Sequence, residues 1–289
     1  MKPLNLLLTL LLPPFALATP IRSMFLFKDV LKSNTTALTT SGFNTLMIFG
    51  IGVLSNGDIK YYSNTPGSSD VVIASNGTYV GGDSLSTKVR SFKSLPSSTI
   101  TRVEISMNSQ HITPLTPLLA SNFRALKAAW SLDAVNNDDE SIYDVSSTVA
   151  FAKMLASNSS SGGGGYRYTI SPYTNTRFWT SVTSQLNKSL KEPDLVMDRV
   201  YLQCYDGGAG NNPASWQSAL GGIKVVPLVW VTNDSKPGQG TTAAQARSKF
   251  SGWNKGSALA GGGYWNDFDI EKMKLSYKDY GDALTSVFP

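Results

Sequence analysis

The chain has 289 residues, 41% hydrophobic and 16% charged, with 25 basic against 20 acidic side chains and a formal net charge of +5. That length and apolar content suit one large α/β domain of about 250 residues, and basic residues scattered along the chain rather than grouped argue against a nucleic-acid partner. A single cysteine, Cys204, and a single histidine, His111, exclude an internal disulfide and a zinc set.

The first stretch, MKPLNLLLTLLLPPFALATP, has a lysine near its start, a leucine-rich core and a small-residue site at Ala16-Leu17-Ala18. Residues 1–18 are therefore expected to be a secretory signal peptide, leaving a single domain over residues 19–289. Pro13 and Pro14 interrupt the apolar run, and no later stretch approaches the roughly 20 apolar residues of a membrane span. The expected product is soluble, extracellular and without a membrane partner, and loss of Lys2 brings its net charge to +4. Asn34, Asn76, Asn158, Asn187 and Asn233 each begin an N-x-S/T sequon. In a eukaryotic secretory pathway all five would lie on exposed surface, although such triplets also arise by chance in a Ser/Thr-rich chain.

Short β-rich runs then alternate with stretches of helical spacing. The predicted strands are Ser23 to Phe27, Asn44 to Val53, Thr101 to Met107, Ala128 to Val135, Tyr166 to Tyr173, Asp198 to Asp206, Ile223 to Val231 and Gly262 to Asp269. Eight strands in βα alternation predict a (β/α)8 barrel in one domain. SSTVAFAKML, FWTSVTSQLNKSL, AAQARSKFSGW and DYGDALTSVF space apolar residues three or four apart, as helices packed on such a sheet do. After Val53 the alternation lapses: SNGDIKYYSN and DVVIASNGTYV, with turn signals at Asn56-Gly57 and Asn76-Gly77, predict a β-hairpin insertion after the second strand. The glycines of SNSSSGGGG are not followed by G-K-[ST] and read as a loop, not a phosphate cradle.

The fourth run ends in SLDAVNNDDESIYD. Side chains alternate along a strand, so Asn136, Asp138 and Glu140 share one face and Val135 takes the other. In a parallel barrel the C-terminal strand ends form the mouth where active sites are built. Composition alone fits an acidic surface loop or the first turn of the next helix as well.

The spacing D-x-x-N-x-D-x-E from Asp133 to Glu140 resembles the D-x-x-D-x-D-x-E signature of glycoside hydrolase family 18, the chitinases and endo-β-N-acetylglucosaminidases, and NDDE resembles the endoglucosaminidase branch. RVYLQCYD, the sixth strand, is similar to the family's Q-x-Y-[DN] segment, and alternation turns Tyr201, Gln203 and Tyr205 inward. Trp265 in GGYWNDFD stands where the family has its last-strand tryptophan. The resemblance runs roughly from Ser23 to Glu271, and its specific matches lie on the fourth and sixth strands.

The resemblance implies roles for these residues. Glu140 would be the general acid, its proton retained because a neighbouring carboxylate in a half-buried pocket raises its pKa. Asp138 would orient the substrate's 2-acetamido group, which serves as nucleophile with net retention. Tyr205 would hydrogen-bond the acetamido oxygen, Gln203 and Asp206 would hold sugar hydroxyls, and Trp265 would floor the sugar site. Two departures stand out: Asn136 replaces a motif aspartate, where its amide would donate to Asp138 and keep it ionised, and ISMNSQH lacks the family's S-x-G-G.

The remaining candidates are weaker. His111 has no G-x-S-x-G elbow beside it and reads as a loop histidine near the mouth; Cys204, between Leu202 and Tyr205, reads as packed. Tyr173, Trp179, Trp216, Trp230, Trp253 and Tyr264 could stack on sugar, with Trp230 and Trp265 the expected cleft residues and Trp179 and Trp253 expected to pack on the barrel. NNDDE lacks the glycine and spacing of a calcium loop, so no metal and no cofactor is expected. The sequence thus predicts a secreted, monomeric glycosidase acting on an N-acetylglucosamine-containing polysaccharide or glycan. Its rival is a catalytically inactive, chitinase-like carbohydrate-binding protein with the same barrel, a reading that Asn136 favours and Glu140 opposes.

Overall fold

The computed structural model describes residues 19–107, 112, 114–157, 164–191 and 194–289. The expected signal peptide, His111, Asn158 and most of the 157–165 loop lie outside those residues.

In chain order the strands are β1 (Ile21–Leu26), β2 (Thr45–Val53), β3 (Ile59–Tyr61), β4 (Val71–Ser75), β5 (Thr78–Tyr79), β6 (Arg102–Met107), β7 (Ala134–Asn137), β8 (Arg167–Ile170), β9 (Met197–Gln203), β10 (Val225–Trp230) and β11 (Gly261–Trp265). Eight of them, β1, β2 and β6 to β11, pair in parallel, and β1 bonds both β11 and β2, so the ring closes as a (β/α)8 barrel. The predicted insertion is present as a meander: β3, β4 and β5 extend β2 antiparallel, outside the ring. Its turns follow the residues read from sequence. Asn76 and Gly77 both take positive φ, 50° and 75°, as a two-residue hairpin turn requires, and Gly57, at φ 86°, donates its N–H to the Leu54 carbonyl at 2.8 Å.

The helices Val145–Ser157, Thr176–Asn187, Ala243–Gly256 and Tyr277–Thr285 fall on the predicted amphipathic stretches. The fourth predicted strand needs correction at its start, because Ala128 to Trp130 is the last turn of a helix, Pro117–Trp130. Thr116 caps that helix by accepting the Leu119 N–H, Pro117 opens it, and Leu119, Phe123, Leu126 and Trp130 bury one face. Ser131 then stops it in the left-handed region at φ 53°, and the strand begins only at Ala134. A second unpredicted helix, Asp83–Ser94, buries Leu85, Val89 and Phe92. The eighth predicted strand ends at Trp265, where Asn266 caps the helix Asp267–Lys272.

Period-two alternation selects the side chains that face the barrel interior, and the strands that supply them divide it into two halves. Ile21, Phe25, Met47, Tyr201, Tyr205, Val226 and Leu228 form one buried apolar cluster inside the ring. The facing half, on β6 to β9, is polar: Glu104, Ser106, Asn136, Thr169 and Ser171 have no exposed surface. Buried polar groups must be paired, and the pairing begins at the bottom. There Arg102 reaches Glu104 at 2.7 Å and clasps Asp198 through both terminal nitrogens, at 2.6 and 2.9 Å.

Exposure of the five sequons is overturned at Asn233, which is 2% exposed and has both ends of its amide bonded, to the Val231 carbonyl and the Lys236 N–H. Asn34 and Asn76 are exposed, and Asn187 is half-buried against the Met197 backbone.

The seam between β1 and β11 is made possible by glycine. Gly261 pairs with Ile21 at φ 154°, and a Cβ there would lie 1.9 Å from the Ile21 carbonyl oxygen. Gly261→Ala should therefore destabilise by about 1–3 kcal/mol and lower the melting temperature by several degrees. Gly252→Ala, on an open helical position, should be neutral or slightly stabilising; differential scanning calorimetry of the pair checks this.

Candidate active site

At the C-terminal end of the ring a cavity of about 500 Å³ is lined by Phe49, Asp138, Glu140, Tyr173, Gln203, Tyr205, Asp206, Gly207, Trp230 and Trp265. Each predicted site residue except Asn136 is in that lining. The cavity sits where alternation delivers it: Asp138 and Glu140 continue the inward face of β7, and Gln203 and Tyr205 the inward face of β9.

The Gln203 amide ties the two strands together. Its Nε2 lies 3.0 Å from Asp138 Oδ1, 3.1 Å from Glu140 Oε1 and 3.0 Å from the Ser171 carbonyl oxygen. A carbonyl can only accept, so the Ser171 oxygen fixes which end of the amide faces this trio. Two N–H bonds serve three acceptors, and two carboxyls are thereby held on one nitrogen. Both cannot be charged there at low cost. Burial, reinforced by the Glu140 charge beside it, pushes Asp138 up to about 8, so at neutral pH Asp138 carries the pair's proton. Asp139 faces the other way and accepts the Ile142 N–H, fixing the turn that follows Glu140.

Asn136 requires two corrections. It does not face the cavity, and it does not hold Asp138 ionised: its amide is engaged below, donating to Thr169 Oγ1 at 3.0 Å and accepting from the hydroxyls of Ser106 and Ser171 at 2.9 Å each. It is a buried support, not a substrate contact.

Aromatic rings form the remaining walls. Tyr205, 9% exposed, meets Trp230 edge-on at 5.8 Å, and burial raises its phenol well above the usual range. Trp230 is fixed by donating its indole N–H to Asp269 at 2.6 Å. Trp265 packs against Phe49 at 5.0 Å and Phe25 at 5.4 Å. Tyr173 donates its hydroxyl to the Glu140 carbonyl at 3.2 Å and lies so close over Gly207 that a Cβ there would be 2.8 Å from the ring. Asp206, at the rim, is ion-paired with Lys236. Trp179 is buried and Trp253 packs on the core, as expected; Trp216 and Tyr264 are buried too. Burial pushes the Cys204 thiol up to about 12, consistent with a packed cysteine.

Sequence reasoning did not reach Phe49, Gly207 or the polar support of Ser106, Thr169, Ser171 and Glu104. Phe49 could have been found by counting alternate positions along the second strand. The others depend on pairings between distant strands.

No family model and no curated protein matches the chain by sequence. Its fold is similar to that of solved structures. A fungal endo-beta-N-acetylglucosaminidase from glycosyl hydrolase family 18 matches with a TM-score of 0.62 and 11% identity, over 92% of this chain and 99% of that one. The catalytic domain of a family GH18 chitinase from the fern Peteris ryukyuensis gives 0.61 and 14%, over 92% and 98%. A family 18 chitinase from Crocus vernus gives 0.59 and 11%, over 92% and 99%. At these identities the likeness is one of fold.

Asp138 makes the stability of the protein depend on pH. Because its folded pKa is raised, the folded state holds an extra proton between the ordinary carboxyl range and about 8, and stability falls as pH rises through that window. Asp138→Asn is neutral throughout. It should melt above wild type at pH 9, with the difference shrinking toward pH 5; thermal melts of both proteins across that range test the sign.

Proposed function

We propose that the chain is a secreted glycosidase of the family 18 type, cleaving β-1,4 bonds at N-acetylglucosamine in chitin, chitooligosaccharides or an N-glycan core. The observation that carries this reading is the meeting of Asp138, Glu140 and Tyr205 in one aromatic-walled cavity, with Gln203 bridging the two carboxyls. Extracellular action rests on the leader-like residues 1–18.

The layout favours a nucleophile brought by the substrate. Asp138 and Glu140 come from one strand end and lie on the same side of the cavity, and its third acid, Asp206, is tied to Lys236. No free carboxylate remains in the described lining to attack the anomeric carbon from across the ring. A 2-acetamido oxygen can do so. As the glycosidic bond lengthens, the pair's single proton passes from Asp138 through Glu140 to the leaving oxygen, which leaves both carboxyls ionised. The Asp138 carboxylate then accepts the acetamido N–H and stabilises the oxazolinium cation, while the Tyr205 hydroxyl steadies the attacking oxygen. Water, deprotonated by Glu140, opens the oxazolinium from the face the leaving group vacated, giving net retention. Trp265 and Trp230 offer their faces to the apolar side of a pyranose.

Incubation with chitooligosaccharides and a high-mannose glycopeptide tests this. Product formation should fall by about 10²–10⁴ in Glu140→Gln, and kcat/KM of wild type should decline as pH rises through about 8, where Asp138 loses the pair's proton. The non-cleaving carbohydrate binder is the second reading, favoured by the amide at Asn136. Binding without products, equal in wild type and Glu140→Gln, would decide for it.

A further inference from the structure

The polar half of the barrel is a chain of hydrogen bonds whose direction is set at its lower end. Glu104, fully buried, accepts Arg102 Nε and the Tyr201 hydroxyl on one oxygen, each at 2.7 Å, and the Thr169 hydroxyl on the other at 2.6 Å. Burial raises its pKa, but Arg102 and Arg199 beside it outweigh that and hold the carboxyl below its usual range, so it is charged. The charged and titratable groups facing it are Arg102 on its own strand, Arg199 and Tyr201 on β9, and Asp198 beyond Arg102.

Thr169 has one hydroxyl hydrogen and gives it to Glu104. Its oxygen can then only accept, and it accepts from Asn136. The other end of the Asn136 amide must therefore be the oxygen, and it takes the hydroxyl protons of Ser106 and Ser171. The Ser171 carbonyl in turn anchors the Gln203 amide that holds Asp138 and Glu140. Below the Gln203 amide, the side-chain donors of Ser106, Ser171, Asn136 and Thr169 all run toward one anion.

We propose that Glu104 is a positioning residue for the Asp138–Glu140 pair, acting through Asn136, and that the two positions form a matched set with the carboxylate at 104 and the amide at 136. This rests on the proposed glycosidase reading, since it concerns the same carboxyl pair. A carboxylate at 136 with Glu104 intact would leave two anions competing for one Thr169 hydrogen. An amide at 104 with Asn136 intact would turn two N–H donors on one hydroxyl and leave its hydrogen without an acceptor. Making both changes reverses the chain cleanly: the amide at 104 donates to Thr169, Thr169 donates to the carboxylate at 136, and Ser106 and Ser171 still donate to that carboxylate.

The test is a double-mutant cycle of Glu104→Gln and Asn136→Asp in the full chain, read by steady-state kinetics and thermal melting. Each single change should lower kcat by tenfold or more, with KM within about threefold, and lower the melting temperature. The double variant should recover at least tenfold in kcat over either single, and its melting temperature should rise above both.

A merely structural role would leave the pH profile in place. Here it should move, because Asn136 is one strand layer below Asp138 whereas Glu104, paired with Ala134, is two layers below. Asp139, Glu140 and Tyr205 are the other titratable groups facing Asp138. Charge moved to 136 should shift the basic limb of kcat/KM to higher pH in the double variant. If Glu104→Gln fails to fold, Thr169→Val should give the same kcat loss and Thr169→Ser should restore it.

Additive effects in the cycle, or an Asn136→Asp variant more active than wild type, would overturn the proposal. If wild type cleaves no substrate, the glycosidase reading fails alone. The melting cycle and the pH dependence of melting then still decide whether 104 and 136 are matched and whether that pairing reaches Asp138.

Discussion

Strand alternation inside a closed ring is the constraint on which this molecule depends. Once the eight parallel strands close, every second side chain faces a space from which water is largely excluded, and each polar group placed there must find its partner on another strand. The chain meets that demand by segregation. Aliphatic and aromatic side chains of β1, β2, β10 and β11, with Tyr201 and Tyr205 from the β9 segment, fill one half, and β6 to β9 build the other from an ion cluster at the bottom, hydroxyls and an amide in the middle, and two carboxyls at the open end. The site is the upper end of that polar stack, and its geometry is inherited from the layers beneath.

The two carboxyls illustrate how environment assigns roles to chemically similar groups. Asp138 is half-buried and carries a proton at neutral pH, while Glu140 stands at the rim with its side chain toward the cavity and its carbonyl fixed by Tyr173. A single glutamine side chain is sufficient to hold both, because its nitrogen has a third, invariably accepting partner in the Ser171 backbone. Substituting a hydroxyl, with its single hydrogen, for that amide would keep one contact and lose the geometry that puts both acids within reach of one sugar.

Much of this was legible from residue order. Period-two alternation in RVYLQCYD placed Gln203 and Tyr205 inward, the acidic end of the fourth strand marked the mouth, and the Asn-Gly pairs marked the turns of the meander. What was not legible had physical reasons. Ala128 to Trp130 abuts the apolar approach to β7, and only the Thr116 cap, Pro117 and the left-handed Ser131 reveal that a helix comes between. Asn136 has the spacing of a site residue, yet its position one layer below the cavity follows from pairing with Ser106 and Thr169 across the register of three strands. Glu104 gave no local signal beyond Arg102 two residues before it, since its Thr169 and Tyr201 partners are 65 and 97 residues away.

The meander has a consequence for how the molecule meets its neighbours. A closed ring has no edge, but β3 to β5 branch from it, and a branch must end somewhere. Here the terminal strand is only Thr78–Tyr79, with Tyr79 turned onto Trp130 of the helix beside it. So short and covered a margin presents too few unpaired backbone groups to template a foreign strand. Among the described residues, the sheet therefore ends without offering a surface on which copies could polymerise edge to edge.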